Sequence, residues 1–398
     1  MLSKQTTFIT GATGFISFEL IKNIIENESS SELHLLIRAN KQHTAQYRFN
    51  QLLNDLKGEN GVKSTNNLAN KIHLVAGDIT LDQFGLETQD YKNLAKKVNR
   101  IYHVAASVHL TGALDKMRTT NVTGTKTVLN FALEIQKEGD LHLLNYVSTA
   151  YVAGDRSGII SENELAKNQK FNNNYEQAKY EAETLVREYA QKLPIAIYRP
   201  SIVMGHSVTG WTKTFNVLYG PMKMVYFGNL KYAPADYNSI VDIVPVDYVA
   251  QGIYHISTQK EKAKSQTFHL TIGKGRSASF PIIIKQIINT LFNWADYYKL
   301  ENPKQMPTFV KPNIFRFFGK ILYLFSNPKN KRKLFQMLTY VDYVAISKEF
   351  DTSNTEAILK PMGIICPTVD EYLDQLCRYS VQNHFGKSHK PEHVYMKK

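Results

Sequence analysis

Cysteine is almost absent: Cys366 and Cys377 are the only two among 398 residues. Two late thiols exclude a disulfide framework and a zinc-ligand cluster, so no metal site is expected. Nowhere does a run of about 18 uncharged apolar residues occur, which excludes a simple membrane-spanning helix. The opening MLSKQTTFIT lacks the apolar core and small-residue cleavage site of a secretory signal. These absences predict a cytoplasmic protein. Acidic residues are few beside basic ones, 35 against 48, giving a net charge of +13. Such an excess suits nucleic acid, an anionic membrane surface or phosphorylated small molecules. Apolar residues, by contrast, make up 43% of the chain, enough for a full core, and disorder or a small stapled module is excluded. The length fits two domains, or one large domain with an appendage.

Strand-like and helix-like runs alternate from the start. Thr6 to Thr10, Leu33 to Ile37, Ile72 to Ala76, Arg100 to Ala106, His142 to Ser148, Pro194 to Arg199 and Thr267 to Ile272 read as strands. Phe15 to Glu26, Asn121 to Ile135 and Tyr175 to Leu193 read as helices. This order predicts an α/β fold: a doubly wound parallel sheet of Rossmann type over residues 1–275. An insertion at 206–240 carries Trp211, Phe215, Tyr219, Met222, Met224, Tyr226 and Phe227. It reads either as the lining of an apolar pocket or as a loop-rich lid packed on itself. Residues 276–379 read as a mostly helical C-terminal region and 380–398 as a disordered tail.

Gly11-Ala12-Thr13-Gly14-Phe15-Ile16-Ser17 joins the first strand to the first helix. One glycine permits unusual torsions, and a second lets the main chain approach a pyrophosphate at the helix N-terminus. Ser17 stands where the dinucleotide pattern has its third glycine, and serine is small enough for helix-to-strand packing. After the second strand comes Arg38, where a carboxylate would hold the ribose diol of NAD; a basic residue there suits a 2′-phosphate, with Arg48 as a second contact. Gly77-Asp78-Ile79 and Ala105-Ala106-Ser107 follow the third and fourth strands, where adenine and ribose edges would lie.

Tyr175 and Lys179 fall one turn apart on one helix face, behind capping residues Asn172 to Asn174. An unperturbed phenol, at about 10, is too weak an acid for neutral pH, and a neighbouring ammonium together with a cationic nicotinamide is expected to lower it. The fifth strand ends Ser148-Thr149, where a hydroxyl faces the cofactor crevice and can steady charge on a carbonyl oxygen. Either hydroxyl suits this role; Thr149 is preferred.

Together TGATGFI, VST, YxxxK and YRPSIVMG (198–205) resemble the extended short-chain dehydrogenase/reductase superfamily over residues 5–275. LLIRA, HVAASV, NVTGT and DIVPVDYVA (242–250) look most like its thioester-reductase and fatty acyl-CoA reductase branch, as does FHLTIG (268–273). FDTSNTE (350–356) is similar to that branch's tail region. The resemblance implies a catalytic triad of Thr149, Tyr175 and Lys179. It implies NADP(H) held by Gly11, Thr13, Gly14, Phe15, Ile16, Arg38, Arg48, Asp78, Ile79, Ala105, Ala106, Ser107 and Lys179, with Pro200, Ser201 and Ile202 flanking the nicotinamide. The implied reaction is NADPH-dependent reduction of an acyl thioester, delivered as an acyl-CoA or on an acyl-carrier protein, to an aldehyde and on to an alcohol. An epimerase, dehydratase or sterol-type alcohol dehydrogenase of the same superfamily is the alternative. A non-catalytic dinucleotide sensor is opposed by the intact Tyr175 and Lys179.

From Lys311 to Tyr340 there are seven basic residues and no acidic one. Ile314, Phe317, Phe318, Ile321, Leu322 and Phe325 fall near one helical face, the pattern of a helix lying in a membrane interface. The competing reading packs that stripe on the core. No nucleic-acid recognition module accompanies these charges, so a nucleic-acid partner is not expected.

Overall fold

The computed structural model describes residues 5–386 apart from 66–67, 216–217, 229–230, 237, 278, 301–305, 328–330, 332–333, 335–337, 339–340 and 342–346. Seven strands form one sheet: β1 (Thr6–Thr10), β2 (Glu32–Ile37), β3 (Ile72–Ala76), β4 (Arg100–His103), β5 (Leu143–Val147), β6 (Ile195–Pro200) and β7 (Gln266–Leu270). Their order is β7-β6-β5-β4-β1-β2-β3, and every neighbouring pair is parallel. The order reverses between β1 and β4, which opens a crevice at the carboxyl ends of these strands.

Helices cover both faces, as the apolar strand runs require. On one face α1 (Phe15–Asn27) packs with α6 (Val246–Ser257) through Phe18, Leu20, Ile21, Ile24, Val249 and Ile253. On the other lie α3 (Thr88–Lys97), α4 (Gly124–Glu138) and α5 (Asn174–Tyr189), with Phe8, Ile101, Val128, Phe131 and Val186 between them and the sheet. The expected fourth strand over 100–106 stops at His103, because the chain must then pass beside Gly11. The helix expected from Asn121 opens as a widened turn, Thr119–Thr123, before α4. There the Asn121 side chain is engaged instead with Ser107, accepting from its N–H at 2.7 Å.

A second core joins α7 (Phe280–Tyr297), α9 (Val369–Gln382) and the short helix Tyr219–Tyr226. Ile283, Ile287, Leu291, Tyr372 and Leu376 are buried in it, each apolar side chain contributing about 1.5–3 kcal/mol. Tyr219, Met222 and Tyr226 belong to this core and Trp211 stacks near Phe15 and Phe18, so these aromatics build structure rather than line an open pocket. Val381 and Phe385 are buried here too, so order extends past the expected boundary at 379. The remainder of the expected tail, 387–398, lies outside the described residues.

The C-terminal region returns to the first core. Gly158–Ile160 pairs in parallel with Lys348–Phe350, and Ile358, Leu359 and Cys366 join the α1–α6 face. Glu162 accepts from the Asn354 N–H at 2.5 Å and from the Thr355 hydroxyl at 2.7 Å. Only Pro312 and Gly319 are buried in α8 (Pro312–Phe325). Its Phe317 is 62% exposed, Phe318 58% and Phe325 86%. The core-packed reading of this stripe is therefore not what the fold contains. Basic positions 329, 332 and 333 of the same stretch lie outside the described residues. No described helix is long and apolar enough to cross a membrane.

Candidate active site

Gly11 takes φ +69°, and a Cβ there would sit 2.7 Å from the Ala105 Cα and N. Only glycine lets β1 turn this close to the chain leaving β4. Gly14 caps α1 in extended conformation, so the N–H groups of the helix's first turn remain available to an anion. Ser17 is fully buried and fits where a glycine was expected.

Around this turn lies a cleft of about 230 Å³ lined by Gly11, Thr13, Gly14, Arg38, Arg48, Asp78, Ile79, Ala105 and Ala106. Gly77, of the Gly77–Ile79 segment expected here, also lines it; Leu36, Ile37, Val104 and Thr120, which are not assigned to the cofactor from the sequence, complete the lining. Arg48 reaches back from α2 (Ala45–Lys57), donating to the Thr13 hydroxyl at 2.9 Å and to the Arg38 carbonyl at 2.6 Å. Arg38 itself is 60% exposed and stands 3.5 Å from the Asp78 carboxylate. The glycine cradle and the free helix end fit the pyrophosphate of a nicotinamide dinucleotide.

Phe15 and Ile16 begin α1 but do not line the cleft; Phe15 turns to Trp211, with ring centroids 5.5 Å apart, and Ile16 packs on the first core. Ser107 lies beyond it, bound to Asn121. Pro200, Ser201 and Ile202 lie at the end of β6, behind Thr149. The Pro200 carbonyl accepts from the Thr149 hydroxyl at 3.4 Å, and the Ser201 hydroxyl donates to Asp242 at 2.5 Å.

Thr149 follows β5, and Tyr175 and Lys179 project from the first turns of α5, which Asn173 caps by accepting from the Glu176 N–H at 3.0 Å. Burial pushes the Tyr175 phenol up to about 12, against the lowering pull of a hydrogen bond with Thr149. The phenol is thus a held proton rather than a phenolate at neutral pH. The Lys179 ammonium is 2% exposed and turned toward the sheet, donating to the Tyr146 phenol at 2.9 Å and the Val147 carbonyl at 2.8 Å. Burial pulls that ammonium down to about 7.

Ser148 is committed elsewhere: its hydroxyl donates to Glu183 at 2.7 Å, which leaves Thr149 as the hydroxyl beside the phenol. Glu183 also accepts from Arg199 at 2.6 and 3.0 Å, and both side chains are buried. Burial alone would raise this carboxyl, but the Arg199 guanidinium holds it down to about 2. Tyr146, Glu183 and Arg199 support the site and were missed in the sequence. Glu183 is one turn beyond Lys179 on the same face, a signal that was there to read.

A reversing parallel sheet, a glycine turn into α1 and a Thr–Tyr–Lys set at the strand ends define the extended short-chain dehydrogenase/reductase class. Residues 9–253 match the model of the Male sterility protein family, an NAD-binding family, and the chain belongs to that family. It is 29% identical over 280 residues to the nonribosomal peptide synthetase asaC of Aspergillus flavus, covering 67% of this chain and 26% of that protein. To the putative fatty acyl-CoA reductase CG8306 of Drosophila melanogaster it is 27% identical over 329 residues, covering 73% of this chain and 63% of the relative. The chain thus spans about a quarter of the first relative and under two thirds of the second. Its fold is similar to the terminal R domain of the myxalamid PKS-NRPS pathway, with TM-score 0.75, 24% identity and coverage of 97% and 92% of the two chains. A UDP-glucuronic acid 4-epimerase from Bacillus cereus, in complex with NAD, shares the fold at TM-score 0.64 and 17% identity, covering 96% and 99% of the two chains.

Proposed function

We propose that this chain reduces acyl thioesters, carried by CoA or by a carrier protein, to the aldehyde, and by a second turnover to the alcohol, with NADPH as reductant. The observation that carries the reading is the placement of Thr149 directly after β5 and of Tyr175 and Lys179 in the first turns of α5, with Lys179 tied to the Val147 carbonyl two residues before Thr149, together with a cleft bearing two arginines. Gly11, Gly14 and the first turn of α1 would hold the pyrophosphate, and Arg38 and Arg48 the 2′-phosphate. Bound there, reduced nicotinamide supplies hydride to the thioester carbon.

The protein's own groups manage the oxygen. Thr149 and Tyr175 donate hydrogen bonds as negative charge builds there, and Tyr175 then gives up its proton to make the hemithioacetal hydroxyl. On collapse the tyrosinate takes that proton back as the C–S bond breaks, the aldehyde and a thiolate leave, and a proton from solvent completes the thiol. Lys179, held by Tyr146 and Val147, supplies positive charge on the sheet side of the site, which eases the tyrosinate's transient charge.

The exposed outer face of α8, with Phe317, Phe318 and Phe325, fits the acyl boundary of a membrane surface. Purified protein, NADPH and a panel of acyl-CoAs, followed by absorbance of the reduced cofactor, tests the catalytic reading. Chain-length-dependent oxidation with aldehyde or alcohol product is expected. Turnover of a UDP-sugar or a sterol, with no acyl-CoA accepted, would overturn it.

A further inference from the structure

A second cleft, of about 820 Å³, opens between α8 and the start of the catalytic helix α5. Arg316, Lys320 and Tyr323 form one wall, and Asn172 to Asn174 the wall that leads into Tyr175. Leu110, Thr111, Leu324 and Leu338 are also in the lining, so among the described residues it holds two cations, neutral polar groups and apolar side chains but no carboxylate. At about 100° per residue, Arg316, Lys320 and Tyr323 share one side of α8, while Ile314, Phe318, Ile321 and Phe325 lie on the opposite side. The basic pair therefore belongs to the cleft and not to the exposed apolar face. Arg316 is steadied by Asn313, whose Oδ1 accepts at 3.4 Å, and Lys320 forms no salt bridge among the described residues.

We infer that this cleft receives the thiol half of the substrate, with Arg316 and Lys320 binding the phosphate of its pantetheine arm. The inference rests on the thioester-reductase reading and names a subsite for it. A thioester whose carbonyl meets Thr149 and Tyr175 has two arms to place. An acyl chain in this cleft would cover two cations with methylenes, a desolvation cost without compensation. A pantetheine arm suits the lining better: its amides face the asparagines, its alkyl portions face the leucines and Tyr323, and its phosphate accepts charge-assisted hydrogen bonds from both cations. The phosphate ester is common to CoA and to a carrier-borne arm.

The test pairs the R316Q/K320Q variant with three thioesters of one acyl chain: on CoA, on acyl-carrier protein, and on N-acetylcysteamine, which has no phosphate. Both substitutions lie in an accessible cleft, so folding is expected to be intact. Expected is a KM raised roughly tenfold or more for a phosphate-bearing thioester, with kcat little changed and the N-acetylcysteamine ester unaffected. A rise with the CoA ester assigns free CoA as the source; a rise with the carrier alone assigns the carrier arm. Equal shifts for all three esters, or none, overturn the inference. Calorimetric titration with CoA in the presence of NADPH gives a readout independent of turnover. Expected is binding weakened about tenfold in the variant. If the wild-type protein turns over no thioester yet binds CoA through this pair, the catalytic reading falls and the subsite stands. Wild-type protein that neither binds CoA nor distinguishes the carrier ester sinks the subsite.

Discussion

The Lys179 ammonium donates to the Tyr146 phenol at 2.9 Å, with its charge 4.4 Å from the centre of the same ring. A lysine one turn from the site's tyrosine is thereby held from the sheet below, by a residue on the strand that also leads to Thr149. Removing the Tyr146 hydroxyl should leave a buried ammonium with the Val147 carbonyl alone, and lower its pKa further. In Tyr146→Phe, the alkaline loss of kcat is expected at lower pH than in wild type, with NADPH affinity little changed. An unaltered pH profile would show that Tyr146 only fills space.

Tyr175→Phe removes the proton held on the phenol. Turnover should fall by about 10²–10⁴-fold, the usual worth of a general acid. NADPH binding, read by cofactor fluorescence, should be nearly intact.

Arg48 spans Thr13 and the Arg38 carbonyl, so it both contacts the proposed phosphate site and fixes the loop that bears Arg38. Arg48→Ala is expected to weaken NADPH by about tenfold to a hundredfold and NADH much less. Titrating both cofactors checks this; equal losses would move the 2′-phosphate elsewhere.

Glu183 and Arg199 form a buried pair, and breaking it by Glu183→Gln should destabilise the fold by about 3–5 kcal/mol. The folded carboxyl sits at about 2, below its ordinary value, so its stabilisation is complete above the usual carboxylate range. That contribution is lost as pH falls through this range toward 2. Urea midpoints from neutral pH downward should decline more steeply in wild type than in the variant.

Lys179 gives the same sign of slope at higher pH, but as a cost at neutral pH rather than a gain. Its folded pKa, at about 7, lies below the ordinary lysine value, so the unfolded chain binds the extra proton between them. Stability should rise with pH across that interval in wild type, and the rise should shrink in Lys179→Met. The same variant should lose turnover, which separates what the lysine does for chemistry from its cost to folding.

For the proposed membrane contact of α8, co-sedimentation with anionic liposomes is expected, and should fall when Phe317 and Phe318 become serine, and also at high salt. Neutralising the basic run from 329 to 333 should weaken it as well. Binding indifferent to all three changes would remove the interface helix.

Much of the frame was legible because each cue was local. The seven strand runs, the glycine turn and the Tyr–Lys spacing are read along the chain, and β3 falls on the expected residues Ile72 to Ala76. What escaped depends on contacts between distant segments. Thr120 lines the dinucleotide cleft because a widened turn precedes α4, and Tyr146 matters because Lys179 bends toward it across the helix–sheet interface. The aromatics of 211–227 suit a pocket lining or a lid packed on itself equally; Tyr219 and Tyr226 are buried in the core with α7 and α9, and Phe215 and Phe227 pack partly buried against it. A composition cannot say which apolar faces find partners. The stripe on α8 is the converse case, with a core-like pattern and no core over it.

The pairing of Gly158–Ile160 with Lys348–Phe350 ties the two ends of the chain's useful length together. The strap begins a few residues after Thr149 and is anchored by Glu162 to Asn354 and Thr355. A fragment cut at residue 275 would keep the dinucleotide cleft and the Thr–Tyr–Lys set, yet lose the partner strand that braces the loop beyond Thr149. Such a fragment could retain cofactor affinity while its reacting groups drift, so the C-terminal third acts as a tensioner for chemistry encoded far upstream.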